Sequence, residues 1–246
     1  MKMKKIYPLM SLLGLTLFLS SCLEEGSRNY SESSVVYLDS GSGKIYGKTL
    51  LSGRFITSAQ MQLMQPGTFK FFAYSWDEEY GTTMIGEIPA DNVNINSDPV
   101  DVSHTTLIRA TPPEVEEPDM FLALSEPFYA NDEYYFGDHW LFEYAYEARK
   151  GEEALIEVYE VEDPESAANE VLLEVRLIIV GEPEPGASLT PRSDVIAVDM
   201  GPLRDHYEGL EEGKRDLKIQ IQYYNKNPTG LMKLKNTYPL TIGNEA

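Results

Sequence analysis

A single cysteine, Cys22, sets the first limit on how this 246-residue chain can fold. It ends the run Leu19-Ser-Ser-Cys22, and the apolar stretch from Ile6 to Leu19 follows three lysines at the N-terminus. A charged start, a short apolar run and small residues are typical of a secretory signal. A cysteine directly after them is typical of bacterial lipoproteins, in which the thiol carries the lipid. With its only cysteine committed to lipid, the chain has to fold without disulfides, on its apolar core.

Two other interpretations of the N-terminus fit less well. An ordinary secretory signal needs no cysteine, and a membrane-spanning helix needs about 18 or more apolar residues. The stretch from Ile6 to Leu19 is shorter than that and contains Pro8. We therefore predict a signal peptide over residues 1–21, lipid attachment at Cys22 and a flexible tether over residues 22–34.

The predicted anchor implies an outer-membrane lipoprotein, exposed at the cell surface or on the periplasmic face. The acidic pair Glu24-Glu25 resembles a surface-export signal of lipoproteins, and a solvated tether explains it equally well. The chain has 20 basic and 40 acidic residues, and removing residues 1–21 removes three lysines and no acid. Such a surface repels phosphate backbones, which argues against nucleic-acid binding. It also lacks the basic clusters that attract anionic lipids, so the lipid on Cys22 has to hold the protein to the membrane.

Short strands separated by turn residues predict an all-β fold in two parts. Five or six strands between residues 35 and 110 suggest a small OB-like barrel or a meander. Residues 111–119 combine prolines and acids with almost no apolar side chains, which predicts an extended linker. Residues 120–246 hold about seven strands, which suits an antiparallel β-sandwich, and one short helix is expected between Pro202 and Gly213. The strands include alternating runs over residues 134–146 and 154–161, a continuous apolar run over residues 171–180 and a last strand over residues 232–242.

Two short motifs resemble those of NigD-like lipoproteins. One is Val195-Ile-Ala-Val-Asp-Met-Gly-Pro-Leu203, followed by the alternating strand from Leu217 to Tyr223. The other is Gly43-Lys-Ile-Tyr-Gly-Lys-Thr-Leu50. The resemblance implies an OB-type domain joined to a C-terminal β-sandwich, in an envelope lipoprotein that supplies no catalytic residues.

The sequence contains no motif for catalysis or for a transition metal. His104, His139 and His206 lack the close spacing of zinc ligands, and no Gly-x-Ser-x-Gly nucleophile elbow is present. We therefore predict no cofactor, no metal site and no catalytic residue. The carboxylate-rich loops over Asp77 to Glu79 and Glu160 to Asp163 leave weak calcium binding open.

Aromatic residues beside acids are the one pattern that points to a small ligand. Trp76 precedes an acidic triplet, and Asp138 and Trp140 begin an aromatic strand. Rings that stack on sugars, together with carboxylates that bind hydroxyls, would make Trp76, Trp140 and Asp138 a glycan-binding set, and paired carboxylates could hydrolyse a glycosidic bond. Such neighbours are also expected by chance in a chain with 40 acids. Packing in the core explains both tryptophans without any ligand.

The sequence therefore predicts a lipid-anchored envelope protein that binds rather than catalyses. The main hypothesis is the recruitment of a protein partner at the outer membrane. A glycan-binding accessory lipoprotein is the alternative, and a glycoside hydrolase is a third interpretation.

Overall fold

The fold is all-β, as predicted, and is described here from a computed structural model. The structure describes residues 29–129, 136–162, 167, 169–210 and 213–243, so Cys22, the signal peptide and the first part of the tether lie outside it. The helix α1 (Gly201–Glu208) overlaps the segment from Pro202 to Gly213 in which a helix was predicted. The strands are β1 (Tyr30–Gly41), β2 (Lys44–Thr49), β3 (Phe55–Thr57), β4 (Thr68–Trp76), β5 (Thr82–Ile85), β6 (Ile88–Ile95), β7 (Val100–Asp101), β8 (Ser103–Thr106), β9 (Ala123–Leu124), β10 (His139–Ala148), β11 (Glu152–Val161), β12 (Glu170–Gly181), β13 (Thr190–Asp199), β14 (Arg215–Lys226), β15 (Thr229–Lys233) and β16 (Tyr238–Ile242).

The first module is a closed barrel of the OB type, which confirms the predicted barrel. Its strands follow the order β1-β2-β3-β6-β4, and β4 pairs with both β6 and β1, so the sheet closes on itself. The β3–β6 pair is parallel, whereas β1–β2, β2–β3, β4–β6 and β1–β4 are antiparallel. The fully buried core of the barrel includes Val36, Leu38, Ile56, Phe72 and Tyr74.

The glycine in the middle of β2 explains why that strand can pack so closely against β1. A Cβ at Gly47 would lie 2.3 Å from Val36 Cγ1 and 2.9 Å from Met61 Cε. Met61 belongs to a short 3-10 helix, Met61–Leu63. The Met61 side chain is buried and belongs to the barrel core. Any larger residue at position 47 would therefore push β2 away from the core.

Strand β1 begins at Tyr30, inside the segment predicted to be a tether. Residues 30–34 pair in register with residues 72–76 of β4, and Tyr30 stacks on Trp76 with ring centroids 5.5 Å apart. The serines in this stretch made it look like a linker. A strand with one exposed face needs apolar side chains only at alternate positions, so the polar composition is compatible with pairing.

The second module is a sandwich of two sheets around one core. One sheet has the order β8-β13-β10-β9, and the other has β11-β12-β14, with β15 and β16 both paired to β14. Their inner faces bury Trp140, Phe142, Val175, Val198 and Ile219. The prediction of an antiparallel sandwich is wrong at two pairs, because β8–β13 and β12–β14 are parallel. After β12 the chain forms β13 in the opposite sheet and then α1. When it returns as β14 to the sheet that contains β12, it runs in the same direction as β12.

The strand pairing indicates that the chain passes from the first module to the second near residue 102, before the predicted linker. β7 pairs with β4 of the barrel, whereas β8 pairs with β13 of the sandwich. Residues 111–119 run along the sandwich, where the Arg176 guanidinium donates to the Pro113 carbonyl and the Asp119 carboxylate accepts from the Ile179 N–H at 2.8 Å. This segment therefore connects parts of the second module instead of separating the two modules.

Candidate functional site

The two modules meet along an apolar interface. Val35 and Tyr37 of β1 and Phe69 of β4 point out of the barrel and pack in one buried cluster with Leu141 of β10 and Ala197 of β13. Tyr37 and Phe69 lie opposite each other in the β1–β4 register, with ring centroids 4.9 Å apart. Because these side chains are buried against each other, the interface holds the two modules in one arrangement.

The turn that leads into β10 completes the interface. The Phe136 ring lies 6.1 Å from Phe69, and the His139 ring meets Phe69 edge-on at 5.3 Å. His139 Nδ1 lies 3.0 Å from the Phe136 carbonyl oxygen. His139, for which the sequence indicated no functional role, packs here between the modules.

Beside this interface the modules leave a cleft of about 370 Å³. The barrel contributes Leu50, Leu51 and Phe71, and the sandwich contributes Phe128 and Val195. Three of these large apolar side chains are substantially exposed: Leu51 at 72%, Phe71 at 46% and Phe128 at 45%. Clefts of this size and apolar character between domains are the usual location of binding sites.

The polar groups of the cleft are serines and carboxylates. Ser125 Oγ accepts a hydrogen bond from the Glu143 N–H at 2.9 Å, and Glu126 Oε1 accepts one from Asn236 Nδ2 at 2.6 Å. The residues that line the cleft include Ser33, Ser34, Glu126 and Glu143 but neither lysine nor arginine. Within the described residues the Glu143 carboxylate forms no ion pair. The cleft is therefore apolar inside and acidic at its rim.

The sequence signal for this cleft lies in β4. Its run Thr68-Phe-Lys-Phe-Phe-Ala-Tyr-Ser75 has aromatic residues on both faces, where a barrel strand with one solvated face needs them on only one. Phe72 and Tyr74 fill the barrel, and Phe69 and Phe71 face the sandwich and the cleft. Leu50-Leu51, in the turn that follows β2, carried no comparable pattern.

The three residues predicted to bind a glycan do not share one site. Trp76 lies at the end of β4 in the barrel, and one of its faces is stacked on Tyr30. Trp140 lies in the sandwich core at 1% exposure and stacks on Tyr129 with centroids 4.3 Å apart. Its ring therefore has no face open to a sugar.

Asp138 has a structural partner. Arg204 of α1 donates to both of its carboxylate oxygens, from Nη2 to Oδ1 at 2.7 Å and from Nε to Oδ2 at 2.8 Å. The same guanidinium donates from Nη1 to the Thr241 carbonyl. The pair ties the turn before β10 to α1 and β16, and it occupies the carboxylate that was considered for sugar binding.

Across the described parts of the chain, no three histidine, cysteine or acidic side chains come together as metal ligands would. In the same residues no helix combines the length and apolar character that crossing a bilayer requires. The carboxylates considered for calcium have other partners, since Glu160 pairs with Arg109 at 2.6 Å and Asp77 accepts from the Glu79 N–H at 2.9 Å.

Comparison with known proteins identifies the fold. No protein-family model and no curated protein matches the chain. Among solved structures, a protein of unknown function, DUF1344, from Bacteroides vulgatus ATCC 8482 has 13% identity and a TM-score of 0.57, with 86% of this chain and 92% of that chain covered. A candidate lipoprotein from Bacteroides fragilis NCTC 9343 has 12% identity and a TM-score of 0.55, with 88% and 100% covered.

The matches also include a NigD-like immunity protein from Bacteroides caccae ATCC 43185, at 12% identity and a TM-score of 0.45, with 83% of this chain and 91% of that chain covered. A superposition this weak carries no argument by itself. The NigD-like name that the sequence motifs suggested also occurs among the matches, and the DUF1344 protein and the candidate lipoprotein, with TM-scores above 0.5, show the fold alone at identities of 13% and 12%.

Proposed function

We propose that this chain is a lipid-anchored protein of the cell envelope that binds a protein partner in the cleft between its two modules. The proposal places it at the outer membrane, on the cell surface or on the periplasmic face. It assigns the protein a binding role and no catalytic one.

The observation that carries this proposal is the cluster of exposed apolar side chains at the module junction. Single exposed leucines are common on protein surfaces, but several large apolar side chains that line one cleft mark an interaction site. Leu51, Phe71 and Phe128 come from three separate segments, and the buried interface next to them holds those segments in place. A partner would thus meet a preformed surface, which lowers the entropic cost of binding.

The membrane part of the proposal rests on Cys22 and the apolar stretch before it. It predicts that the wild-type chain incorporates labelled fatty acid and sediments with membranes. The Cys22→Ser variant is expected to lose both properties, because serine cannot form the thioether. Equal labelling of the two chains would contradict the lipoprotein assignment.

The cleft is tested by crosslinking in intact cells, followed by capture of the tagged chain and mass spectrometry. We expect one dominant partner with the wild-type protein, and its loss from Leu51→Asp, which places a charge in the cleft. Leu63→Asp is the matched control, since Leu63 is an 89% exposed leucine of the barrel outside the cleft. If the two variants capture the same proteins as wild type, the cleft is not the binding site.

One observation supports glycan binding as a second candidate. Tyr80, 48% exposed, lines an open depression on the barrel together with Lys44 and Asn92. An exposed ring beside polar side chains could stack on a sugar. A glycan array probed with wild type and Tyr80→Ala tests this, and signals of equal strength from the two proteins would exclude Tyr80 as the sugar platform.

A further inference from the structure

We propose that the partner binds as an extended peptide that adds a strand to the open edge of β1 and places alternate side chains in the cleft. This inference rests on the proposed function and specifies its binding mode. It commits to a segment with apolar residues at every second position and a lysine or arginine beside them.

The edge arises because β1 is longer than its neighbour β2. β4 pairs with β1 as far as Tyr30, whereas the β1–β2 ladder begins only at Val36, opposite Thr49. The last backbone bond on that side runs from the Leu50 N–H to the Val35 carbonyl at 2.9 Å. Among the described residues, no strand pairs with this side of residues 30–34.

The register shows which backbone groups are open. In an antiparallel ladder, the N–H and C=O groups of alternate residues point to the same neighbour. Val35 directs its carbonyl towards β2, so Ser33 and Ser31 direct their N–H and C=O groups to the same side, beyond the end of β2. Both serines are exposed. An incoming strand would thus find two residues of free edge, and main-chain pairing of this kind is an established mode of peptide recognition.

The open edge and the cleft are continuous. Ser33, Ser34 and Val35 are themselves lining residues of the cleft, and Leu50 and Leu51 mark the point where β2 leaves β1. Side chains of an added strand on the face shared with Val35 would enter the apolar space. Main-chain bonds would then supply affinity, and the cleft would select the side chains.

The charge of the cleft indicates that the peptide carries a cationic side chain. The rim carries Glu126 and Glu143, and the lining residues include no cation. The whole chain has a formal net charge of −20. A cationic side chain in the peptide would be drawn to this rim, whereas a second copy of this chain would bring like charges together. The acidic pair Glu24-Glu25 makes the protein's own N-terminal segment a poorer occupant for the same reason.

The test begins with a phage-displayed library of linear dodecapeptides, selected on the purified full-length chain. We expect enriched peptides with apolar residues at alternate positions and at least one lysine or arginine. N-methylation of single peptide amides should weaken binding by about tenfold at every second residue, because only alternate amides face β1. Uniform effects along the peptide, or no enriched peptide, would overturn the proposal.

The protein side is tested with Ser33→Pro, which removes the open-edge N–H and leaves the bonds to β4 in place. Proline is tolerated on edge strands at such positions. The variant should bind the selected peptides about tenfold more weakly, with an unchanged melting temperature. If the melting temperature of Ser33→Pro is lowered, the N-methylated peptides alone test the proposal. Glu143→Gln should lower affinity for the cationic peptides, and Glu153→Gln, an exposed glutamate of β11 outside the cleft, should not.

The same variants separate this inference from the proposed function. If Leu51→Asp loses the cellular partner and Ser33→Pro retains it with full affinity, the cleft binds the partner and edge addition is wrong. If both variants retain the cellular partner, the proposed function fails. If peptides bind with the alternating pattern and no cellular partner is captured, edge addition stands and the proposed recruitment falls.

Discussion

The Tyr37 side chain occupies the space in which a side chain at residue 137 would lie. A Cβ built on Gly137 falls 2.1 Å from Tyr37 Oη and 2.8 Å from Tyr37 Cζ. Tyr37 belongs to the barrel, and Gly137 belongs to the turn before the sandwich strand β10. The close approach of these two residues brings Phe136 and His139 against Phe69. The interface beside the cleft therefore depends on a glycine at position 137.

Gly137→Ala is expected to destabilise the protein by about 2 to 3 kcal/mol, from the left-handed backbone and the overlap with Tyr37 together. The φ of Gly137 is +57°, and Gly43, in the turn between β1 and β2, has a φ of +75° with no atom within 4 Å of its ideal Cβ. Gly43→Ala therefore reports the backbone cost alone, about 1 to 2 kcal/mol. Urea unfolding of both variants provides the comparison.

The contribution of the overlap is isolated by Tyr37→Phe, which removes the nearest atom. In the Gly137→Ala background this second change should recover part of the lost stability. A double-mutant cycle with no coupling between the two positions would show that the turn can move away from the barrel without cost.

The Arg204–Asp138 pair is expected to be essential for the stability of the sandwich. Its side chains are only 8% and 17% exposed, so Arg204→Met leaves a largely buried carboxylate unpaired, at a cost of about 3 kcal/mol or more. Arg149→Met is the control, because the Arg149 side chain is 50% exposed in its pair with Glu152 and should change stability by less than about 1 kcal/mol. Thermal unfolding distinguishes the two. A melting temperature for Arg204→Met equal to that of Arg149→Met would mean that the pair adds no stability.

The Asp39–Lys48 pair predicts a pH dependence of stability. Burial tends to raise the pKa of Asp39, but hydrogen bonds from Lys48 and from the Ser40 N–H outweigh it, and the pKa is lowered. A carboxylate with a lowered pKa in the folded state stabilises it above the unfolded value of about 3.9, and this stabilisation is lost as the pH falls through the folded pKa.

Asp39→Asn should therefore cost about 2 kcal/mol near neutral pH, and the difference from wild type should shrink as the pH falls below about 4. The Lys48 side chain is 6% exposed, and its Nζ lies 2.8 Å from Asp39 Oδ2. Asp101→Asn is the control, since Asp101 is 79% exposed in its pair with Lys70. A constant difference from wild type across the acid range would contradict the assignment.

The two tryptophans should differ in fluorescence. In Trp76→Phe, the remaining Trp140 is buried, so we expect blue-shifted emission and slow quenching by acrylamide. In Trp140→Phe, the partly exposed Trp76 should emit at longer wavelength and quench faster. Trp140→Ala should also cost about 3 to 5 kcal/mol, as for other large core truncations. Equal quenching of the two single-tryptophan proteins would be inconsistent with a core position for Trp140.

Local alternation of side chains was enough to predict most of the strands. β10 and β11 were predicted because their apolar residues recur with period two, and β12 because it is a continuous apolar run. The three-residue β3 and the two-residue β7 were missed, since so few residues cannot show a period. The segment from Met232 to Ile242, predicted as one strand, is β15 and β16 with a turn between them.

The site was much less predictable than the strands. The acids beside Trp76 and Trp140 drew attention because they are neighbours in sequence, yet Trp140 is in the core and Asp138 binds Arg204. The residues that form the cleft, such as Leu51, Phe71 and Phe128, are far apart in the chain. They meet only because the outward face of β1 and β4 packs on the sandwich.

An all-β fold with two modules and an acidic surface follows from the amino-acid pattern, because strand periodicity and charge are properties of neighbouring residues. Strand order, the parallel β8–β13 and β12–β14 pairs and the open edge of β1 depend on contacts between distant segments. Such contacts are chosen by the burial of whole sheet faces, and an outward aromatic residue such as Phe71 becomes part of a cleft only once the second module lies opposite it.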